Sequence, residues 1–112
     1  MAKKYKFVAL VNAKEGHDEA FGDWHNTTHL PQVVRAAGFS GGQRMQLVPG
    51  TNGDAARYQY LVLFDLESDQ PMEALGKMGA AVESGEIEMP DLLGAPLWTG
   101  LFEEIPGATY KA

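Results

Sequence analysis

Two histidines stand four residues apart in the stretch DWHNTTHLP, residues 23 to 31, and they are the strongest chemical signal in the sequence. On a continuous α-helix, residues four apart project from one face, so His25 and His29 would lie side by side. Phe21 falls on the same stripe, and Trp24 lies beside it. A face that is half aromatic and half titratable suits a metal site, acid/base chemistry or an ordinary solvated helix.

A metal site is the first chemistry that the HxxxH spacing suggests, because zinc proteases use it on a helix. Those enzymes place a glutamate directly after the first histidine, whereas this chain has Asn26 there. A third ligand would have to come from His17, Asp18 or a distant strand. The sequence therefore predicts no metal at the histidine pair.

Acid/base chemistry without a cofactor suits the same residues. Imidazole exchanges its proton near neutral pH, and a tyrosine hydroxyl can polarise or protonate a developing enolate. Tyr58 and Tyr60 share one face of a predicted strand, and Arg44 in the preceding strand is placed to hold a carboxylate or phenolate. The residues alone leave a second interpretation open. In it, the histidines face solvent and the arginine and aromatic residues only pack or form ion pairs.

The composition limits the classes of protein and partner. The chain has 112 residues, of which 45% are apolar and 21% charged, and this predicts one folded domain over residues 1–112. Its formal net charge is -6, and the only clustered cations are Lys3, Lys4 and Lys6, so no nucleic-acid or membrane partner is expected. The absence of cysteine, of a signal peptide and of a long apolar run leads us to expect a soluble, cytoplasmic protein.

Hydrophobic patterning and turn residues predict elements in the order β-α-β-β-α-β, a ferredoxin-like α+β fold with a four-stranded antiparallel sheet. Strands are predicted at 5–12, 43–49, 57–67 and 96–105, helices at 16–38 and 71–84, and a turn at 51–56. Because proline lacks an amide hydrogen and clashes with the preceding helical turn, Pro31 predicts a break or kink at His29–Leu30.

The predicted strands are apolar on both of their faces. In the third strand, Val62 and Phe64 fall on one face, and Leu61 and Leu63 fall on the other. Two helices cover only one face of such a sheet, so the other face needs a partner. The sequence therefore predicts a homodimer whose sheets pack face to face, twofold symmetry being the commonest closed arrangement.

The run FGDWHNTTHLPQVVRAAGF, residues 21 to 39, resembles the signature of the EthD-type members of the dimeric α+β barrel superfamily. The segments RYQYLVLFDLE and PLWTGLFEEI resemble the third and fourth strands of that family, so the similarity extends over nearly the whole chain. The resemblance implies a ferredoxin-like monomer that dimerises through its sheet and holds a pocket between sheet and helices. The histidine of the HLP motif corresponds to His29, which is the first position to which a catalytic role is assigned.

Superfamily members include polyketide cyclases, muconolactone-type isomerases, quinol-forming monooxygenases and haem-degrading enzymes. The resemblance implies a cofactor-independent lyase, isomerase, cyclase or dehydratase that moves protons on a small aromatic or polyketide-like molecule. Haem is not expected, because neither histidine has an obvious reason to be an axial ligand. A quinol-type monooxygenase and a non-catalytic small-molecule-binding accessory protein remain as alternatives. The candidate catalytic residues are His29, His25 and Tyr60, and the candidate substrate-binding residues are Phe21, Trp24, Arg44 and Tyr58.

Overall fold

The computed structural model describes residues 2–52 and 57–112. Its elements are β1 (Lys3–Ala13), α1 (Asp18–Trp24), a π turn (His25–His29), α2 (Leu30–Ala37), β2 (Gly41–Gln46), β3 (Tyr60–Ser68), α3 (Pro71–Ser84) and β4 (Leu93–Glu103). The four strands form one antiparallel sheet in the order β2-β3-β1-β4. This topology confirms the predicted ferredoxin-like fold. No helix in the described part of the chain is long and apolar enough to cross a membrane.

The core lies between one face of the sheet and the helices. Phe7 of β1 pairs with Phe64 of β3 in the register, and both are buried, as are the residues two positions along each strand. Phe39, just after α2, packs on both rings, with centroids 6.1 Å from Phe7 and 5.1 Å from Phe64. Strand alternation therefore gives the helix-covered face a continuous apolar surface. The opposite face, which we call the open face, carries the intervening residues and is only half-buried.

Local signals alone set the bounds of α3. Pro71 occupies the first turn, where its missing amide hydrogen costs nothing, and Gly85 ends the helix with φ 85° in the left-handed region. The predicted helix at 71–84 is confirmed at both ends. In the same way Gly38, with φ 78°, ends α2, and its amide donates to the Val34 carbonyl at 3.1 Å.

The predicted break or kink at His29–Leu30 takes the form of a change in helix type. The chain stays helical through both residues, but the π turn ends at His29 and α2 begins at Leu30. The amide of Leu30 donates to the carbonyl of His25, five residues earlier. Pro31 has no amide hydrogen for the carbonyl of Thr27, and a wider turn accommodates its ring without ending the helix.

The third strand begins at Tyr60 rather than at residue 57, so the prediction that Tyr58 shares a strand face with Tyr60 is wrong. The reason is a buried side chain on β1. Asn12 donates to the carbonyl of Arg57 at 2.8 Å and accepts the amide of Gln59 at 2.9 Å. An amide side chain therefore takes the place of strand pairing at this point. Of the predicted turn at 51–56, residues 53–56 lie outside the described residues.

Candidate functional site

The candidate site lies where α1 and the π turn cross the edge of the sheet formed by β2 and β3. Arg44 of β2 pairs in the register with Val62 of β3, which is 1% exposed on the helix-covered face. Tyr60 stands two residues before Val62, so it projects from the same face. The sheet thus presents a cation and a phenol to the first helical region.

The first helical region supplies two aromatic and two imidazole side chains. Phe21 is fully buried, and its ring centroid lies 5.2 Å from that of His25 and 5.5 Å from that of Tyr60. Trp24 packs on His29 at 4.5 Å, and the two imidazoles are 4.9 Å apart. The predicted proximity of His25 and His29 is therefore present. We call the following group the imidazole cluster: Phe21, Trp24, His25, His29, Arg44 and Tyr60.

Arg44 is held between two aromatic rings and two oxygen acceptors. Its guanidinium carbon lies 5.5 Å from the ring centroid of Phe21 and 5.2 Å from that of Tyr60. Its Nη1 donates to Oδ1 of Asn26 at 2.7 Å and reaches the carbonyl of Gly22 at 3.5 Å. In the sequence, Asn26 stands out only because it replaces the glutamate of the zinc-protease pattern. Nothing in the residue spacing reveals its contact with Arg44, 18 residues later.

Tyr60 donates its hydroxyl proton to Oδ2 of Asp18 at 3.1 Å. Burial raises the pKa of this phenol, and the hydrogen bond and negative charge of Asp18 raise it further, against a smaller opposing effect of Arg44. Tyr60 is consequently a neutral phenol at neutral pH and a hydrogen-bond donor rather than a base. Asp18, the first residue of α1, was predicted only as a possible metal ligand.

Both imidazoles are neutral at neutral pH. His25 is 3% exposed, and burial lowers its pKa from 6.5 to about 3, with repulsion from His29 and Arg44 adding to the effect. Burial also lowers the pKa of His29 to about 4. A neutral imidazole offers one acceptor nitrogen and one donor N–H. The pair is thus able to accept a proton, although each imidazole is a weaker base than a histidine in water.

Buried polar atoms without a partner are concentrated at this site. In residues 2–52 and 57–112, four buried side-chain nitrogens lack a hydrogen-bond partner within the protein. They are Trp24 Nε1, His25 Nδ1, His29 Nδ1 and Arg44 Nε, all of them in the imidazole cluster. Each such atom reduces stability on the order of 1–3 kcal/mol. A cluster that retains four of them is better suited to binding or chemistry than to packing.

Two cavities adjoin the cluster and share Gln46 and Tyr60 in their walls. The smaller, of about 310 Å³, is lined by Gly22, Asn26, Arg44, Met45, Gln46 and Tyr60. The larger, of about 840 Å³, includes Asp18 and Tyr58, so the two predicted tyrosines meet at a cavity wall despite their different backbone settings.

The imidazoles lie behind these cavities rather than in their walls. Neither His25 nor His29 lines either cavity. The short helix α1 brings Phe21 directly onto the sheet, and its ring packs edge to face with that of His25. Arg44 and Tyr60 are the cluster members that a small molecule in the smaller cavity would contact first.

The residues that a metal site at the histidine pair would have needed as a third ligand are engaged elsewhere. His17 makes a 2.9 Å contact from its Nδ1 to the carbonyl of Glu15, and Asp18 accepts the Tyr60 hydroxyl. Within the described residues, no group of three or more histidine, cysteine or acidic side chains is arranged to hold a metal ion.

No protein-family model matches the chain, and no curated protein matches it. Its fold is similar to that of an ethyl tert-butyl ether D (EthD) family protein from Bacillus halodurans, with TM-score 0.62 and 17% identity over 94% of this chain and 100% of the other. A proposed monooxygenase from Shewanella loihica gives TM-score 0.62 and 18% identity over 94% and 97% of the two chains. A dimeric ferredoxin-like protein of unknown function from Thermobifida fusca gives TM-score 0.57 and 14% identity over 93% of each chain. These similarities confirm the predicted fold.

Proposed function

We propose that this chain, which has the fold of the EthD-type dimeric α+β barrel proteins, is a cofactor-independent acid/base enzyme. The proposed reaction is that of a lyase, isomerase, cyclase or dehydratase on a small aromatic or polyketide-like compound. The observation that carries the proposal is the imidazole cluster: it holds four buried nitrogens without a partner in the described residues, and two of its members, Arg44 and Tyr60, line a cavity.

In this mechanism His29 is the base. Because His29 lines neither cavity, the mechanism requires the cavity wall to open far enough for the substrate to reach its imidazole. Its neutral imidazole accepts a proton from a carbon next to a carbonyl group, and the electron pair of the C–H bond moves to the carbonyl oxygen. The hydroxyl of Tyr60 and the guanidinium of Arg44 stabilise the resulting enolate. The imidazolium then returns its proton to another carbon or to a leaving group. The ring centroid of His25 lies 4.9 Å from that of His29, so a positive charge on one imidazole disfavours a positive charge on the other.

The low pKa of His29, about 4, affects both directions of this proton transfer. Burial disfavours the imidazolium, so the resting base is weak and the proton returns readily to the substrate. An enolate beside the imidazolium places an opposite charge close to it and offsets that penalty. Of the predicted substrate-binding aromatic residues, Tyr58 lines the larger cavity and provides a surface against which a planar substrate would pack. Phe21 is fully buried and Trp24 lines neither cavity, so both support the cluster from behind rather than contact a ligand in the cavities.

Deuterium exchange tests proton transfer without knowledge of the product. The wild-type protein is incubated in D2O with a panel of aryl methyl ketones, and loss of the methyl proton NMR signal is followed. We expect exchange at least about 100-fold faster than in buffer for a compound that fits, since a positioned base contributes about that much. His29→Gln should abolish the acceleration. His17→Gln, which changes the exposed histidine, should not. Wild-type exchange in His29→Gln would remove His29 from the mechanism.

Two other functions remain as competing outcomes. A non-catalytic binding protein would take up members of the same panel, as measured by ligand-observed NMR, without accelerating exchange; the low imidazole pKa values favour this alternative. The similarity to a proposed monooxygenase motivates the other. Oxygen consumption with a panel of quinols would identify a monooxygenase and contradict proton transfer as the principal chemistry.

The second part of the proposal is a homodimer formed through the open face. Trp98 and Phe102 of β4 are 42% and 53% exposed there, with ring centroids 6.1 Å apart, and Met45 of β2 is 47% exposed. Leu10 and Leu61 between them are half-buried. An apolar surface of this extent favours a second subunit, and the similar protein from Thermobifida fusca is described as dimeric.

Light scattering after size-exclusion chromatography tests the dimer. Trp98→Glu places a charge on the open face and should produce a monomer. Met72→Glu changes an equally apolar but 70% exposed residue of α3 and should leave the dimer intact. A monomeric wild-type protein would contradict this part of the proposal.

The same proposal takes residues 1–112 as one domain that acts in the cytoplasm on a small molecule. A single core, to which β1, β3, β4 and the helices contribute, supports the assignment of one domain. The absence of cysteine from the sequence is compatible with a cytoplasmic location.

A further inference from the structure

We infer that the cavity beside Arg44 binds its ligand as an anion, in the form of a small planar oxyanion such as a phenolate or enolate. We further infer that Asn26 is a positioning residue that holds the guanidinium in place for that anion. This inference rests on the proposed function for the location of the pocket. Beyond that function, it specifies the charge of the ligand that the pocket binds and names Asn26 as the residue that positions Arg44 for that ligand.

The charge of Arg44 has only neutral hydrogen-bond partners within the described residues. Its Nη1 bonds to the side-chain oxygen of Asn26 at 2.7 Å and contacts the carbonyl of Gly22 at 3.5 Å. In the described part of the chain the ion pairs are made by lysines, and none involves Arg44: Lys3–Glu103, Lys6–Asp65 and Lys14–Asp91. A partly buried guanidinium without a carboxylate partner attracts an anion strongly.

The other groups at the smaller cavity add no negative charge to its wall. In the wall of the smaller cavity Arg44 and Tyr60 are the only ionisable residues, and Tyr60 is a neutral phenol. His25 and His29 behind the wall are neutral as well. Asp18 is exposed to water, and its carboxylate is bonded to the Tyr60 hydroxyl. The cavity wall therefore carries one positive charge and no negative charge.

The surroundings of the Arg44 guanidinium favour a small planar ligand. The guanidinium lies within 5.5 Å of the ring centroids of both Phe21 and Tyr60, which restricts its movement and shields it from water. Its Nε is buried and unpartnered within the described residues. A cavity of about 310 Å³ is at the small end of ligand sites, which favours a molecule with one or two rings. A planar conjugated oxyanion fits both the size and the charge.

Asn26 connects the π turn to this function. It is the second residue of the π turn, and its 2.7 Å bond to Nη1 is the shortest polar contact that Arg44 makes. An aspartate at this position would have nearly the same shape but would pair with the guanidinium and neutralise it. Asn26→Asp is therefore a sharper test than removal of the arginine, because it preserves the side-chain volume.

The probe is 4-nitrophenol, whose phenolate is coloured and which titrates near neutral pH. Its absorbance is titrated against pH with and without excess protein, which gives the pKa of the bound probe. For the wild-type protein we expect the bound pKa to fall by about one unit or more, which corresponds to a preference of about tenfold for the phenolate. Arg44→Gln and Asn26→Asp should both abolish this shift. Arg35→Gln, a change to an exposed arginine of α2, should leave it unchanged.

Each outcome separates this inference from the proposed function. Equal affinity for phenol and phenolate, or no binding of either form, would overturn the inference, while the deuterium-exchange result would stand on its own. A shift that persists in both Arg44→Gln and Asn26→Asp would place the preference elsewhere and also overturn it. A shift that both variants abolish supports the inference even if the protein catalyses no exchange. If Arg44→Gln fails to fold, the isosteric Asn26→Asp variant still shows whether the pKa shift of the bound probe depends on the charge of Arg44.

Discussion

The two helical regions that cover the sheet differ in regularity and in chemistry. The region from α1 through the π turn to α2 changes its hydrogen-bonding pattern twice within 20 residues, and it buries His25. The helix α3 is regular over its 14 residues, and its buried residues are Ala74 and Ala81. The helix α3 thus serves mainly to cover the core. The region from α1 to α2 instead gives up stability to place polar groups between helix and sheet.

The irregularity of the first region is caused by a nearby proline, and it allows a contact with a residue that is distant in sequence. Pro31 removes the hydrogen bond that would continue an α-helix, and the π turn that results holds His25, Asn26 and His29. From that turn, Asn26 reaches Arg44 on β2, and Trp24 just before the turn packs on His29. In α3 the proline stands in the first turn instead, where it causes no irregularity.

The largest expected difference between the two regions is in core truncation. Phe21→Ala removes a fully buried ring that contacts both His25 and Tyr60, and it should lower the free energy of unfolding by about 3–5 kcal/mol. Leu75→Ala, its counterpart in α3, truncates a partly buried residue and should cost less, about 2 kcal/mol. Urea unfolding followed by circular dichroism measures both. Equal losses would indicate that α3 anchors the core as strongly as α1 does.

Acid should destabilise the protein through the two buried histidines of the first region. The folded-state pKa values of His25 and His29, about 3 and about 4, lie below the ordinary value of 6.5, so the unfolded chain binds more protons between these limits. Stability from these groups is fully present above pH 6.5 and is lost as the pH falls toward the folded values. Between pH 7 and 5 the loss should be on the order of 2 kcal/mol for each histidine.

Urea unfolding at pH 7 and at pH 5 measures this linkage. His25→Gln and His29→Gln should each reduce the difference in unfolding free energy between the two pH values. His17→Gln changes an exposed histidine and should retain the full difference. A wild-type protein whose stability is the same at pH 7 and 5 would show that the imidazoles are not desolvated.

The smallest expected effects come from glycines on the two helical regions. A Cβ added at Gly76 or Gly79 of α3 would meet no atom within 4 Å, so each change to alanine should raise the unfolding free energy by about 0.5–1 kcal/mol. Gly22→Ala in α1 would place its Cβ 3.9 Å from Nη1 of Arg44 and inside the smaller cavity. Thermal unfolding should therefore show a gain for all three variants, whereas nitrophenolate affinity should fall only in Gly22→Ala. A loss of affinity in Gly76→Ala would extend the site to α3.

The elements were predictable because their signals are local. Pro71 and Gly85 defined α3, and strand alternation identified Val62 and Phe64 as facing one way and Leu61 and Leu63 as facing the other. The four-residue spacing of His25 and His29 predicted that their rings would be neighbours, and they lie 4.9 Å apart. The error at Tyr58 arose where a side chain replaced regular backbone hydrogen bonding, and the form of the irregularity before Pro31, a π turn, was not predicted because it depends on how the helix accommodates the proline.

The sequence by itself determined the order of elements, the two-sided apolar character of the sheet and the adjacency of the histidines, since each follows from residue type and periodicity along a short segment. Only the tertiary structure decided that His25 is buried, that Arg44 bonds to Asn26, and that Tyr60 bonds to Asp18 across 42 residues. Desolvation, charge and cavity shape depend on what packs against a side chain from elsewhere in the chain. Those quantities, rather than residue type, determine whether an imidazole is charged and which ligand an arginine accepts.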